Sequence, residues 1–96
     1  MKIRNIAHRG LRRLYEDDNA RGVPAASADK LRDMLAAIEA MSGPEKLLGL
    51  VSWKAHPLTG NRKGEWSLSV TRNWRLTFWV DEKEPAVCDL NLEDYH

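Results

Sequence analysis

One cysteine, Cys88, stands in the 96 residues, so no disulfide can close within the chain and no cysteine cage can hold zinc. No apolar run approaches the ~18 residues of a membrane span. The start, "MKIRNIAHRG", has basic residues but lacks the apolar stretch of a signal peptide. These absences point to the cytosol and away from any membrane. A second hydrophobic core is excluded by length, so residues 1–96 are read as one domain. With 43% hydrophobic and 30% charged residues, the composition is that of a folded chain and not a disordered one.

A net charge of +1 conceals an asymmetry. Residues 1–80 carry 14 Lys and Arg against 8 Asp and Glu, a net of +6, whereas residues 81–96 carry one Lys against 6 acids, a net of −5. Such a chain either binds a polyanion on one face or has an ordinary mixed surface.

Periodicity supplies the elements. "KIRNI" reads as a short strand with Ile3 and Ile6 available for burial. "HRGLRRLYEDD" has Leu11, Leu14 and Tyr15 at helical spacing, with Arg9, Arg12 and Arg13 on the other face. After the turn chemistry of Asn19, Gly22 and Pro24 comes a second helix. Its stripe is Leu31, Met34, Leu35, Ile38 and Met41, with Ser27 as N-cap and "SGP" as its stop. "LLGLVSWK" reads as a turn leading into a strand near Leu50–Trp53. Trp66, Leu68 and Val70 then alternate with Glu65, Ser67 and Ser69. Trp74, Leu76, Phe78 and Val80 alternate with Asn73, Arg75, Thr77 and Trp79, and "TRN" makes the hairpin between the two strands. A last strand, "AVCDLNL", places Ala86, Cys88, Leu90 and Leu92 inward. The expected fold is α+β: an N-terminal strand and two helices packed on an antiparallel sheet of about four to five strands.

Several polar groups exceed what such a fold requires. "KAHPLTGNRKG" carries Lys54, His56, Arg62 and Lys63. Arg75 interrupts an apolar, aromatic strand, where the bland reading is a cross-strand ion pair with Asp89 or Glu65. The chain closes on Asp94, Tyr95 and His96, directly after a strand anchored by Leu90 and Leu92. In a meander, His56, Arg75 and His96 can reach one face. RNA cleavage asks for few parts: a base for the 2′-hydroxyl, an acid for the leaving 5′-oxygen, and a cation for the phosphoryl charge. Two histidines, or a histidine and a tyrosine, with an arginine can supply these without metal. Trp79 and Tyr95 could stack on unpaired bases.

The trio "HPL.G", "NWR" and a C-terminal "DYH", with "HRGLRRLYE" and "VPA" upstream, resembles the HigB toxins of the RelE/ParE-like toxin–antitoxin superfamily over nearly the whole chain. The resemblance implies a RelE-like fold and a ribosome-dependent endonuclease, an mRNA interferase acting in the decoding site of the small subunit. It also implies a HigA-like helix-turn-helix antitoxin as partner, and no metal or cofactor. By motif match the active site would comprise His56, Arg75, Asp94, Tyr95 and His96. Arg9, Arg12, Arg13, Lys54, Arg62 and Lys63 would dock on RNA and ribosomal phosphates. Family members often carry a lysine after "HPL", where this sequence has Thr59; Lys54, Arg62 or Lys63 are the cations placed to replace it. A ParE-like inhibitor of a protein such as DNA gyrase shares the fold, and a nucleic-acid-binding module without cleavage is a third reading.

Overall fold

The alternating segments build one five-stranded sheet in the order β1-β5-β4-β3-β2. Its strands are β1 (Lys2–Ile3), β2 (His56–Pro57), β3 (Glu65–Ser69), β4 (Trp74–Asp81) and β5 (Ala86–Asp94). The structure is a computed structural model that describes residues 1–94. β1 runs parallel to β5 and every other pair is antiparallel, so the sheet is mixed. Helices α1 (Arg9–Asp17) and α2 (Ala28–Ala40) lie between β1 and β2 in the chain. Leu11, Leu14, Leu31, Met34 and Ile38 from the helices share one core with Leu68, Leu76, Phe78, Val87 and Leu90 from the sheet. Among the described residues no helix is long and apolar enough to cross a membrane.

Both helices end in ways the sequence states only in part. His8, not a hydroxyl or carboxylate, caps α1: its Nδ1 accepts the Leu11 N–H at 3.0 Å. Asp18, left-handed at φ 54°, ends α1 as the N–H groups of Asp18 and Asn19 return to the carbonyls of Leu14 and Arg13. Ser27 precedes α2 as expected but makes no side-chain cap. A 3-10 turn over Ala25–Ser27 leads into the helix and leaves Ser27 helical and buried. At the far end of α2 the Met1 ammonium donates to the carbonyls of Ile38 and Glu39 at 3.0 Å each, and to that of Met41. A positive charge there matches the helix dipole.

Gly10 and Gly22 allow a close approach of two backbone segments. A Cβ added at Gly10 would lie 1.9 Å from the Gly22 carbonyl oxygen. Only glycine lets the turn lie on α1 in this way.

Two expectations fail for physical reasons. The strand near Leu50–Trp53 is instead a pair of 3-10 turns, Pro44–Gly49 and Val51–Trp53. Leu47, Leu50 and Trp53 turn inward while Leu48 and Val51 are exposed. That three-residue period belongs to a 3-10 helix and cannot serve a strand of period two. In β5, Cys88 is not inward; Val87 is, fully buried. The pairs Thr77↔Asn91 and Trp79↔Cys88 leave Asp89 and Leu90 opposite the single residue Phe78, which is a β-bulge. Asp89 sits at φ 52° and exchanges hydrogen bonds with the Asn5 side chain at 2.8 and 3.0 Å. The extra residue moves Cys88 to the outer face beside Arg4.

The His8 cap makes stability depend on pH. Burial pushes the His8 imidazole below its ordinary value, and the cap needs an unprotonated Nδ1. Its contribution is therefore complete above the unfolded value near 6.5 and declines as pH falls toward the lowered folded value. His8→Asn keeps a cap acceptor that does not titrate. Urea unfolding at about pH 7.5 and about pH 5.5 should show the native chain losing more stability than the variant on acidification. Equal losses would remove His8 as the source.

Candidate active site

The sheet register sets out the polar face. His56 lies opposite Ser67, Ser67 opposite Thr77, and Thr77 opposite Asn91. One step along, Ser69 lies opposite Arg75 and Arg75 opposite Glu93. His56 and Arg75 thus share the face away from the helices, with Cα atoms roughly 12 Å apart from strand spacing and rise. Asp94 pairs with Trp74 at the end of β5, and strand alternation gives it the parity of Leu92, not of Glu93. Tyr95 and His96 lie outside the described residues.

Beside His56, a cleft of about 530 Å³ opens between the N-terminal half of α2, the 3-10 turn before β2, and the β3–β4 hairpin. Lys30, Ser52, Lys54, His56, Ser69 and Arg72 line it, with Val70 and Thr71 at the hairpin. The lining holds three fixed cations, a histidine and three hydroxyls, and no carboxylate. Such a wall suits phosphate oxygens, which accept hydrogen bonds and carry negative charge.

His56 is held in one tautomer. Its Nδ1 lies 2.7 Å from the Lys54 carbonyl oxygen, which can only accept, so Nδ1 carries the proton and the neutral ring presents a lone pair on Nε2. Lys54 adopts a left-handed backbone at φ 52° at this point. That conformation is costly for a residue other than glycine, and it sits next to the histidine whose ring it orients.

A second polar group occupies the sheet face. Arg62, in the 3-10 turn Gly60–Arg62, forks onto Glu93: Nη1 to Oε1 at 3.1 Å and Nη2 to Oε2 at 2.7 Å. Its Nε donates to Glu65, and the Thr77 hydroxyl donates to Glu93 Oε2. Arg75 Nη2 stands 3.9 Å from Glu93 Oε1, so the partner in register is neither Asp89 nor Glu65. Bonding to Arg62, then to Thr77, holds the Glu93 carboxyl below its ordinary range despite burial. The same bonds to Glu93 and Glu65 raise the Arg62 guanidinium.

The remaining docking residues are divided. Arg9, Arg12, Arg13 and Lys63 are exposed, yet none lines the cleft; Lys54 does. Arg62 is half-buried between two carboxylates. Lys30 and Arg72 also line the cleft, beyond the cations expected from sequence. Arg72 could have been noticed as a cation at a hairpin tip. Lys30 carried no signal, because one lysine on the polar side of a helix is ordinary.

Comparison with known proteins identifies the family. Residues 4–96 match the family described as the RelE-like toxin of type II toxin–antitoxin system HigB. The Endoribonuclease HigB of Proteus vulgaris is 39% identical over 94 residues, covering 98% of this chain and 99% of that protein. On this near-complete match, the chain belongs to the HigB-like branch of the RelE-like toxins of type II toxin–antitoxin systems.

Proposed function

We propose that the chain is an endoribonuclease that cuts messenger RNA held in the decoding site of the ribosome. The relative from Proteus vulgaris is itself named an endoribonuclease. The observation that carries the reading is the cleft, where cations and hydroxyls surround a histidine with a lone pair on Nε2.

The chemistry follows from these groups. Nε2 of His56 takes the proton of a 2′-hydroxyl, whose oxygen bonds to the adjacent phosphorus. The bond from phosphorus to the 5′-oxygen breaks, and that oxygen leaves with a proton from a general acid. The products are a 2′,3′-cyclic phosphate and a 5′-hydroxyl. Asp94, Tyr95 and His96 are the acid and orienting groups that the family resemblance assigns, with Tyr95 or His96 as the proton donor. Arg75 stabilises charge on the phosphoryl oxygens. Lys30, Lys54 and Arg72 hold flanking phosphates, and Lys54 stands in for the lysine that is absent at Thr59. As a type II toxin the chain has an antitoxin partner, here a HigA-like helix-turn-helix protein.

A chain this small orients a flexible RNA strand poorly, and orientation supplies several kcal/mol of barrier reduction. The ribosome provides it, with the arginines of α1 and Lys63 docking on ribosomal phosphates.

Three outcomes are expected. His56→Gln should lower cleavage on programmed ribosomes by roughly 10²–10⁴, and Arg75→Ala by roughly 10²–10³. His56 is exposed on an edge strand, so its variant keeps the native melting temperature. Growth arrest that survives His56→Gln would support a protein inhibitor of the ParE kind.

A chain ending at Asp94 keeps Leu90 and Leu92 in the core and so should fold normally, yet fail to arrest growth. Undiminished arrest by the shortened chain would remove Tyr95 and His96 from the chemistry.

Purified mRNA should be left nearly intact while translated mRNA is cut, and binding to ribosomes should weaken as salt rises. Efficient cutting of free RNA would mean that the chain positions its own substrate.

A further inference from the structure

Trp53, Trp66 and Trp74 are half-buried against the core, whereas Trp79 is 39% exposed. Two residues beyond Thr77 on β4, it projects from the face away from the helices. Leaving an indole in water forfeits the burial that its large apolar surface could gain. The ring nevertheless has a fixed support. A Cβ added at Gly64 would meet its Cζ3 at 2.5 Å and its Cε3 at 3.1 Å, and Gly64 adopts φ 103°. Glycine alone tolerates both, so the six-membered ring rests against the main chain of the loop between β2 and β3. The acids beside it are each matched to an arginine. Glu65, opposite Trp79 in the ladder, takes the Nε–H of Arg62. Asp81, the next outward residue of β4, accepts from Arg4 Nη1 at 2.9 Å. Lys63, which is exposed, directly precedes Gly64. A flat apolar ring thus lies among offset carboxylates and beside a lysine. A nucleotide has the matching chemistry: a base whose π face can lie on the indole, and a phosphate for the ammonium.

We propose that Trp79 is a stacking platform for one unpaired base of the messenger RNA, a few nucleotides from the phosphate cut at His56. The inference rests on the endoribonuclease reading for the place of the cut. His56 lies opposite Ser67, and Ser67 opposite Thr77. Two strand spacings and two residues of rise therefore put the Cα atoms of His56 and Trp79 roughly 12 Å apart. A few nucleotides span that distance, at about 3.4 Å each when stacked and more when stretched. Every base has a π face, so stacking tolerates any base. Trp79 holds the strand in place without selecting a codon.

Binding is measured on ribosomes whose messenger carries 2′-deoxyribose in the decoding-site codon, which removes the nucleophile and leaves the bases in place. Messengers with a single abasic nucleotide, moved one position at a time through the decoding site, are compared for native toxin, Trp79→Leu and Trp79→Phe. Native toxin should bind one abasic messenger roughly 5- to 150-fold more weakly than the intact one. Trp79→Leu should bind the intact messenger more weakly by a similar factor, and removal of that same base should then cost it less than about twofold more. Trp79→Phe keeps a ring and should recover most of the loss. Because the contact is uncharged, Trp79→Leu should keep the salt dependence of native toxin.

The proposal is overturned if native toxin tolerates every abasic position, or if the losses from the variant and the missing base simply multiply. A loss in Trp79→Leu that no abasic position shares would assign Trp79 to a ribosomal base or a protein contact, and overturns it as well. The abasic scan uses native toxin, so misfolding of a variant cannot decide the outcome. If the coupling holds while messenger with ordinary ribose stays uncut, the endoribonuclease reading falls and the stacking stands.

Discussion

The Asn5 side chain, through its two hydrogen bonds with Asp89, sets the parity of the strand on which the rest of the sheet depends. β5 is paired on both edges, to β1 and to β4, and it must bury Val87 at one end and Leu90 and Leu92 at the other. Those positions cannot share a face at period two. One bulged residue reconciles them, and an aspartate tolerates the left-handed backbone that the bulge demands. Because of that shift, Asn91 and Glu93 face the same side as Thr77 and Arg75. The polar face is therefore a product of the bulge as much as of the residues on it.

Charge is distributed by a similar logic. Three acids of the last segment meet cations of the body. Asp81 binds Arg4 at 2.9 Å, Glu84 lies 3.8 Å from the same guanidinium, and Glu93 binds Arg62. These acids neutralise body cations away from the cleft. Among the described residues, none of Lys30, Lys54 and Arg72 has a salt-bridge partner. A chain of nearly zero net charge thereby keeps a strongly positive concavity, and field is focused where an anion can enter.

Much of this was legible where a single period governs a segment. The stripe from Leu31 to Ile38, the alternation through β3 and β4, and the hairpin at 71–73 all appear as read. Legibility failed where two periods compete. Leu47, Leu50 and Trp53 follow a period of three inside an apolar run that looks like a strand, and the bulge at Asp89 breaks an alternation that looks unbroken. His8 escaped as a cap because imidazole is a rare choice at that position. Within the candidate site, His56 and Arg75 are proposed on chemical type alone, since both exceed what the fold needs. Lys30 and Glu93 could not be found in that way. Each looks like ordinary surface until the ladder and the helix bring it beside its neighbours.

The backbone contact between Gly10 and Gly22 also constrains how this sequence can vary. A side chain at Gly10 meets the backbone of Gly22, and one at Gly22 lies 2.5 Å from the Cα of Gly10. Neither position can therefore drift alone. Enlarging one demands a shift of the other's main chain, which would pull the turn off α1 and disturb the packing of Leu11 and Val23. Sterically the two glycines form a single constraint, although they stand twelve positions apart along the chain.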